Sequence, residues 1–393
     1  MRPEGRGNPY SLFIIIGCMI VFFIVMGLGS RRHKKQWDAE EQLQTIALDI
    51  DQKPQADSKE DILEILNDMI DKHAEDFYMD VNVNISKEDI EEVAHELDPF
   101  LGRLSMYSYA TSSVQEGDGE AIPDAYAGVN FTFERSIESF VYDDLRKDIP
   151  IPEDNAEALK VKQECELFLK ENISIGMTDF EKELAIHDYI INNCYYSTSF
   201  ADDMSEYNSY GCLVNRKCVC EGYARTSALL MKLSGVECKL ISGKGKGELA
   251  YDGAEQGHMW NQVKINGVWY HYDATWDDPR GSDQILTHLY MNVSDQIMSL
   301  DHEWEQDKYE QCISMTENYY MKNGMYFDDD TSFQQYVKDQ LSAGERQVIK
   351  CCISNLDLSE ETMYFIFDYD GISSYQISTM GLPDYQYLEI HIN

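Results

Sequence analysis

Apolar positions in this chain alternate between two spacings, and the switches mark its elements. Ser58 with Asp61 forms a helix-start signature, followed by an apolar stripe at Ile62, Ile65, Leu66, Met69 and Ile70. Ser86 with Asp89 repeats the signature, ahead of Ile90, Val93, Ala94 and Leu97. Residues 104–109 and 129–133 read as strands. Pro150 and Pro152 then interrupt both helix and ladder. Helices are expected over 155–172 and from Thr178 to about Asn193. A third begins at Cys220, carries Ala224, Ala228, Leu229, Leu230 and Leu233, and stops at Gly235. Residues 237–242 read as a strand and 243–257 as a glycine-rich loop. After Trp304 the pattern predicts a helix to about Leu341, a strand over 348–353, a short helix over 359–367 and a terminal strand over 387–392.

The sharpest local signal is Asn266-Gly267, set between GHMWNQVKI and VWYHYDATW. A two-residue type I′ turn needs positive φ at both central positions, which this pair tolerates best. The turn fixes the register: Ile265 faces Val268, Trp260 faces Asp273 and His258 faces Thr275. His258 and Asp273 then share one face as diagonal neighbours, ~7–8 Å apart at the backbone. A one-residue slip would separate them onto opposite faces.

Cys220 begins its helix, where free N–H groups and the positive dipole end favour a thiolate. The chain therefore offers a nucleophile, a base and a carboxylate to orient that base. Taken singly, each has a plainer role: a small buried cysteine, a strand histidine and a turn-flanking aspartate. Cys212, Cys218, Cys220, His258 and His271 are alternative zinc-ligand candidates, but the cysteines lack a C-x₂-C pair and the two histidines lie on strands. The backbone N–H of Cys220 is one natural oxyanion donor, with Tyr210 and Trp260 as weak candidates for cleft or oxyanion contacts.

The segments YGCLVNRKCVCEGYA, GHMWN and YHYDATWDDP, in that order, resemble the transglutaminase-like core of the papain-like cysteine enzymes, nearest its bacterial branch. The resemblance covers about residues 155–304. It implies catalytic roles for Cys220, His258 and Asp273, and an α+β papain-like fold with the cysteine helix packed on an antiparallel sheet. The sequence departs from the family at Cys212, Cys218 and Met259, where alanine is common.

Composition narrows the partners. A formal net charge of −39 disfavours nucleic acid and is compatible with amine-bearing protein or peptide substrates, although solubility is the plainer account of it. No EF-hand loop or phosphate-binding fingerprint is present, so no cofactor and no metal is expected. Ten cysteines permit disulfides without specifying a pairing, and Cys351 and Cys352 point to opposite faces on a strand.

Leu12 to Leu28 is nearly uncharged and close to the ~20 residues a bilayer span needs. It reads as a signal peptide or a retained anchor. The basic residues after it favour a cytoplasmic C-terminal side, whereas the family resemblance favours export. The expectation is a retained single span with the catalytic domain extracytoplasmic.

The expected organisation is a tail over 1–9, a transmembrane or signal segment over 10–30 and an acidic linker over 31–57. An N-terminal α+β domain over 58–148, the transglutaminase-like domain over 155–304 and a small α+β domain over 305–393 follow. The expected function is attack on amide bonds of protein or peptide substrates through a thioacyl intermediate, resolved by an amine or by water. The alternative is a non-catalytic surface binding or adhesion module on the same fold.

Overall fold

A computed structural model describes residues 54–393 apart from 73–75, 83–84, 87–88, 91, 94–103, 116–120, 198–202, 247–255, 279–286, 346 and 357. The segments expected at 1–9, 10–30 and most of 31–57 lie outside these residues. Among the described residues no helix is long and apolar enough to cross a membrane.

Three sheets carry the fold. The first runs Gln55–Ala56, Asp76–Val81, Ala121–Arg135, Leu104–Gln115, and closes over the apolar stripe of helix Lys59–Asp71. Both helix starts in this region form as the pattern predicts. Ser58 accepts from the N–H of Asp61, while Ser86 and Asp89 cap each other reciprocally. The two long strands extend well beyond the expected 104–109 and 129–133. Helix Ile137–Lys147, which the apolar pattern did not reveal, turns Val141 into the next core.

The second sheet is antiparallel, in the order Met291–Val293, Val268–Tyr272, Gln256–Ile265, Glu237–Gly245, His302–Glu303. Helix Ala156–Asn172, helix Asp179–Asn193 with its full capping box at Thr178, and helix Cys220–Ser234 share a core with it. The cysteine helix ends at Gly235, whose φ of 82° closes it in the left-handed region. The buried amide of Asn261 fastens helix to sheet by donating to Ala224 O at 3.0 Å and to Lys239 O at 3.3 Å.

The third sheet, Tyr326–Phe327, Val348–Ile353, Tyr385–Ile392, Tyr375–Leu382, packs against helix Asp330–Ser342. Its Cys351 and Cys352 do face opposite ways, each into a different core. Strand Tyr375–Leu382 has a mostly half-exposed surface, so its apolar pattern was too weak to read.

Two expectations are corrected. The hairpin keeps its register from Ile265–Val268 to Asn261–Tyr272, but the ladder stops there. Asp273 donates its N–H to Tyr290 O and caps the short helix Ala274–Asp277, so neither Trp260–Asp273 nor His258–Thr275 pairs. His258 pairs with Gly243 instead.

The glycine-rich segment is also not a loop from its start. Strand Glu237–Gly245 runs through Gly243 and Gly245, and Gly257 lies on the next strand. A Cβ at Gly243 would lie 2.6 Å from the Trp260 ring and 2.3 Å from Glu303 O; at Gly245 it would lie 2.6 Å from Trp276. These glycines admit two indoles against the strand. Gly247 lies outside the described residues.

Gly243→Ala should therefore overpack this seam and cost about 1–3 kcal/mol. Gly257→Ala, with open space around its Cβ, should change stability by less than about 0.5 kcal/mol. Urea denaturation midpoints of the two variants check the contrast.

Candidate active site

Cys220 is the first residue of its helix, and Val219 before it offers no side-chain cap. The first-turn N–H groups are therefore left without a side-chain cap from that residue. The turn is pressed against the preceding chain. A Cβ at Gly222 would lie 2.6 Å from Cys218 Cβ and 2.7 Å from Glu206 O, so glycine is needed for the close approach. Arg225, one turn on, is buried and bonds Glu221 and the Leu104 carbonyl.

His258 lies on the neighbouring strand. Its Nε2 meets Asp273 Oδ2 at 2.6 Å, and Cys220 lies close enough to the same imidazole to help raise its pKa. The structure thus brings His258 and Asp273 into direct contact and sets Cys220 near the same imidazole.

Burial opposes a charged His258. The charge and hydrogen bond of Asp273, with a further contribution from Cys220, overcome it and raise the imidazole to about 10. Burial likewise opposes ionised Asp273, but His258 and then His302 hold it well below the usual carboxylate range. Asp273 is saturated: Oδ1 accepts from the N–H groups of Thr275 and Trp276, and Oδ2 faces both histidines.

His302 was not foreseen. Its Nε2 lies 3.2 Å from Asp273 Oδ2, and its Nδ1 lies 2.7 Å from Asp301, which also accepts from the Tyr290 hydroxyl. A lone histidine far downstream on a two-residue edge strand gives no pattern to read. Burial, then Glu221 and Cys220, also raise the pKa of Tyr207.

Of the two weak cleft candidates, Trp260 joins the group as a wall, its ring 5.7 Å from that of His258. Its indole N–H is spent on His271 Nδ1 at 3.1 Å, so it is not a free oxyanion donor. Tyr210 is engaged elsewhere, accepting from Lys160 at 3.1 Å. Trp276 completes the enclosure, 5.6 Å from His258 and 4.1 Å from His302 between ring centres.

The TWDDP segment braces this arrangement from behind. Asp277 meets His187 Nε2 at 3.0 Å and accepts from Thr287 and Tyr290. Asp278 accepts from the Tyr223 hydroxyl of the cysteine helix.

The five candidate zinc ligands do not form one set. Cys212 and Cys218 group with Cys194, His258 with Asp273 and His302, and His271 with Asp295 and Cys312. A fourth group joins His187, Asp188 and His288.

Residues 168–274, which hold Cys220, His258 and Asp273, match the family model of the transglutaminase-like superfamily. The chain contains a transglutaminase-like domain.

Human kyphoscoliosis peptidase is 31% identical over 105 residues, which are 25% of this chain and 16% of that protein. The mouse protein of the same name is 27% identical over 128 residues, 31% of this chain and 19% of the relative. The chain thus spans less than a fifth of the length of these relatives. A solved structure described as a TGase is 14% identical, covering 59% of this chain and 61% of its own, with a TM-score of 0.26.

The transglutaminase-like domain makes a pH prediction. The raised pKa of His258 contributes stability that is full below its ordinary 6.5 and lost as pH rises through about 10. The depressed pKa of Asp273 contributes stability that is present above its ordinary value and lost as pH falls. Asp273→Asn should move His258 from about 10 toward 6.5, read by NMR titration of the imidazole. The same change should flatten the alkaline decline in stability between those values.

Proposed function

We propose that this protein is a cysteine enzyme that cleaves or transfers amide groups of protein or peptide substrates through a thioacyl intermediate. The observation that carries the reading is the buried His258–Asp273 pair at 2.6 Å, with Cys220 near enough to the imidazole to add to its raised pKa. His258 takes the thiol proton, and the sulfur attacks the amide carbonyl carbon. The carbon–nitrogen bond breaks as His258 returns the proton to the leaving amine. An amine or water then attacks the thioester and releases the sulfur, with His258 taking and returning a proton again. Asp273 holds the ring and stabilises the imidazolium.

The N–H of Cys220 at the helix start is one donor for the developing oxyanion. The name of the curated relatives, a peptidase, favours peptide-bond substrates, and the net charge of −39 favours cationic ones. We further propose that residues 10–30 tether the domain to a membrane, with the active site on the extracytoplasmic side.

The test is a panel of glutamine- and lysine-containing peptides, with and without an added amine, followed by mass spectrometry. Cys220→Ala should abolish turnover, and hydroxylamine should trap the acyl group only in enzymes that retain Cys220. His258→Ala should lower the rate about 10³-fold or more, and Asp273→Asn about 10²–10⁴-fold. Equal products from Cys220→Ala and the unaltered protein would instead identify a binding module.

A further inference from the structure

Cys194, Cys212 and Cys218 converge from three segments. Cys194 ends helix Asp179–Asn193, Cys212 lies in the tight turn Gly211–Asn215, and Cys218 lies on strand Lys217–Cys218. That strand pairs in parallel with Tyr195–Tyr196, which follows Cys194 directly. All three side chains are buried, with Cys194 the most exposed at 2%. Their sulfurs lie within 4.8 Å of one another, and those of Cys194 and Cys218 are 3.4 Å apart. Among the described residues no further histidine, cysteine or carboxylate ligand atom belongs to the group.

Three thiolates bound at about 2.3 Å to one trigonal metal stand about 4 Å apart. The cluster needs little movement to reach that spacing. Structural zinc almost always takes four ligands, whereas soft thiolate sets select copper(I). We propose that Cys194, Cys212 and Cys218 form a buried three-thiolate site for a soft, low-coordinate cation of the copper(I) type.

The incoming cation displaces the thiol protons to solvent, and no electron is transferred. The site lies under the first turn of the Cys220 helix, since a Cβ at Gly222 would lie 2.9 Å from Cys218 Sγ. A bound cation would clamp the end of one helix, the tight turn and the approach to Cys220 together.

The test titrates the full chain, reduced and oxygen-free, with copper(I) against a competing chelator and separately with zinc. One copper(I) should bind, with a sulfur-to-copper absorption band and three sulfurs at about 2.3 Å by X-ray absorption. The melting temperature should rise by about 5–10 °C. Cys220→Ala and Cys165→Ala should bind as the unaltered protein does. The paired change Cys212→Ala with Cys218→Ala, and separately Cys194→Ala, should weaken binding at least about 100-fold. Far-UV circular dichroism and a cooperative melt without metal identify which of these variants are folded. Three results would each overturn the site: no tight equivalent of copper(I), equal binding in a folded cluster variant, or tighter binding of zinc in a four-ligand shell.

Discussion

One buried carboxylate sets the geometry of the second sheet. Asp273 ends the hairpin ladder, caps the short helix after it and meets two imidazoles. A buried ionised aspartate is costly unless every lone pair is engaged. Here two backbone N–H groups and two histidines engage them all. That requirement fixes where the strand must stop, which way His258 turns and why His302 sits behind the pair. The position of Cys220 then follows from a separate tether, the Asn261 amide on the helix carbonyl of Ala224.

Much of this was legible in the sequence because its causes are local. Asn266 and Gly267 take φ of 52° and 82°, as a type I′ turn demands, and the turn alone determines which strand residues share a face. Thr178 with Glu181, and Gly235 at its left-handed stop, mark helix ends through interactions spanning a few residues. Cys220, His258 and Asp273 could be named because each lies in a segment with its own pattern.

The parts that stayed hidden depend on contacts between distant segments. His302 acquires its place only when an edge strand docks beside Gly245. Gly243 and Gly245 looked like loop residues because glycine usually marks flexibility. Their role is set by indoles from the next strand and from the short helix. Trp260 resembled a cleft residue, yet its N–H is spent on His271. Cys194 had no visible relation to Cys212 or Cys218, since only the pairing of two very short strands brings them together.

The third sheet bears on the chemistry more directly than its distance along the chain implies. Cys352, Tyr385 and Tyr387 share a core with Trp260, Trp276 and Tyr290, and the Tyr385 hydroxyl donates to the Leu289 carbonyl. The aromatic wall behind His258 is thus half built by residues downstream of the family match at 168–274. Excising that matched stretch would keep the sulfur, the imidazole and the carboxylate in sequence while removing Trp276, His302 and the floor beneath Trp260. The smallest unit able to hold its own site is therefore larger than the unit that similarity delineates.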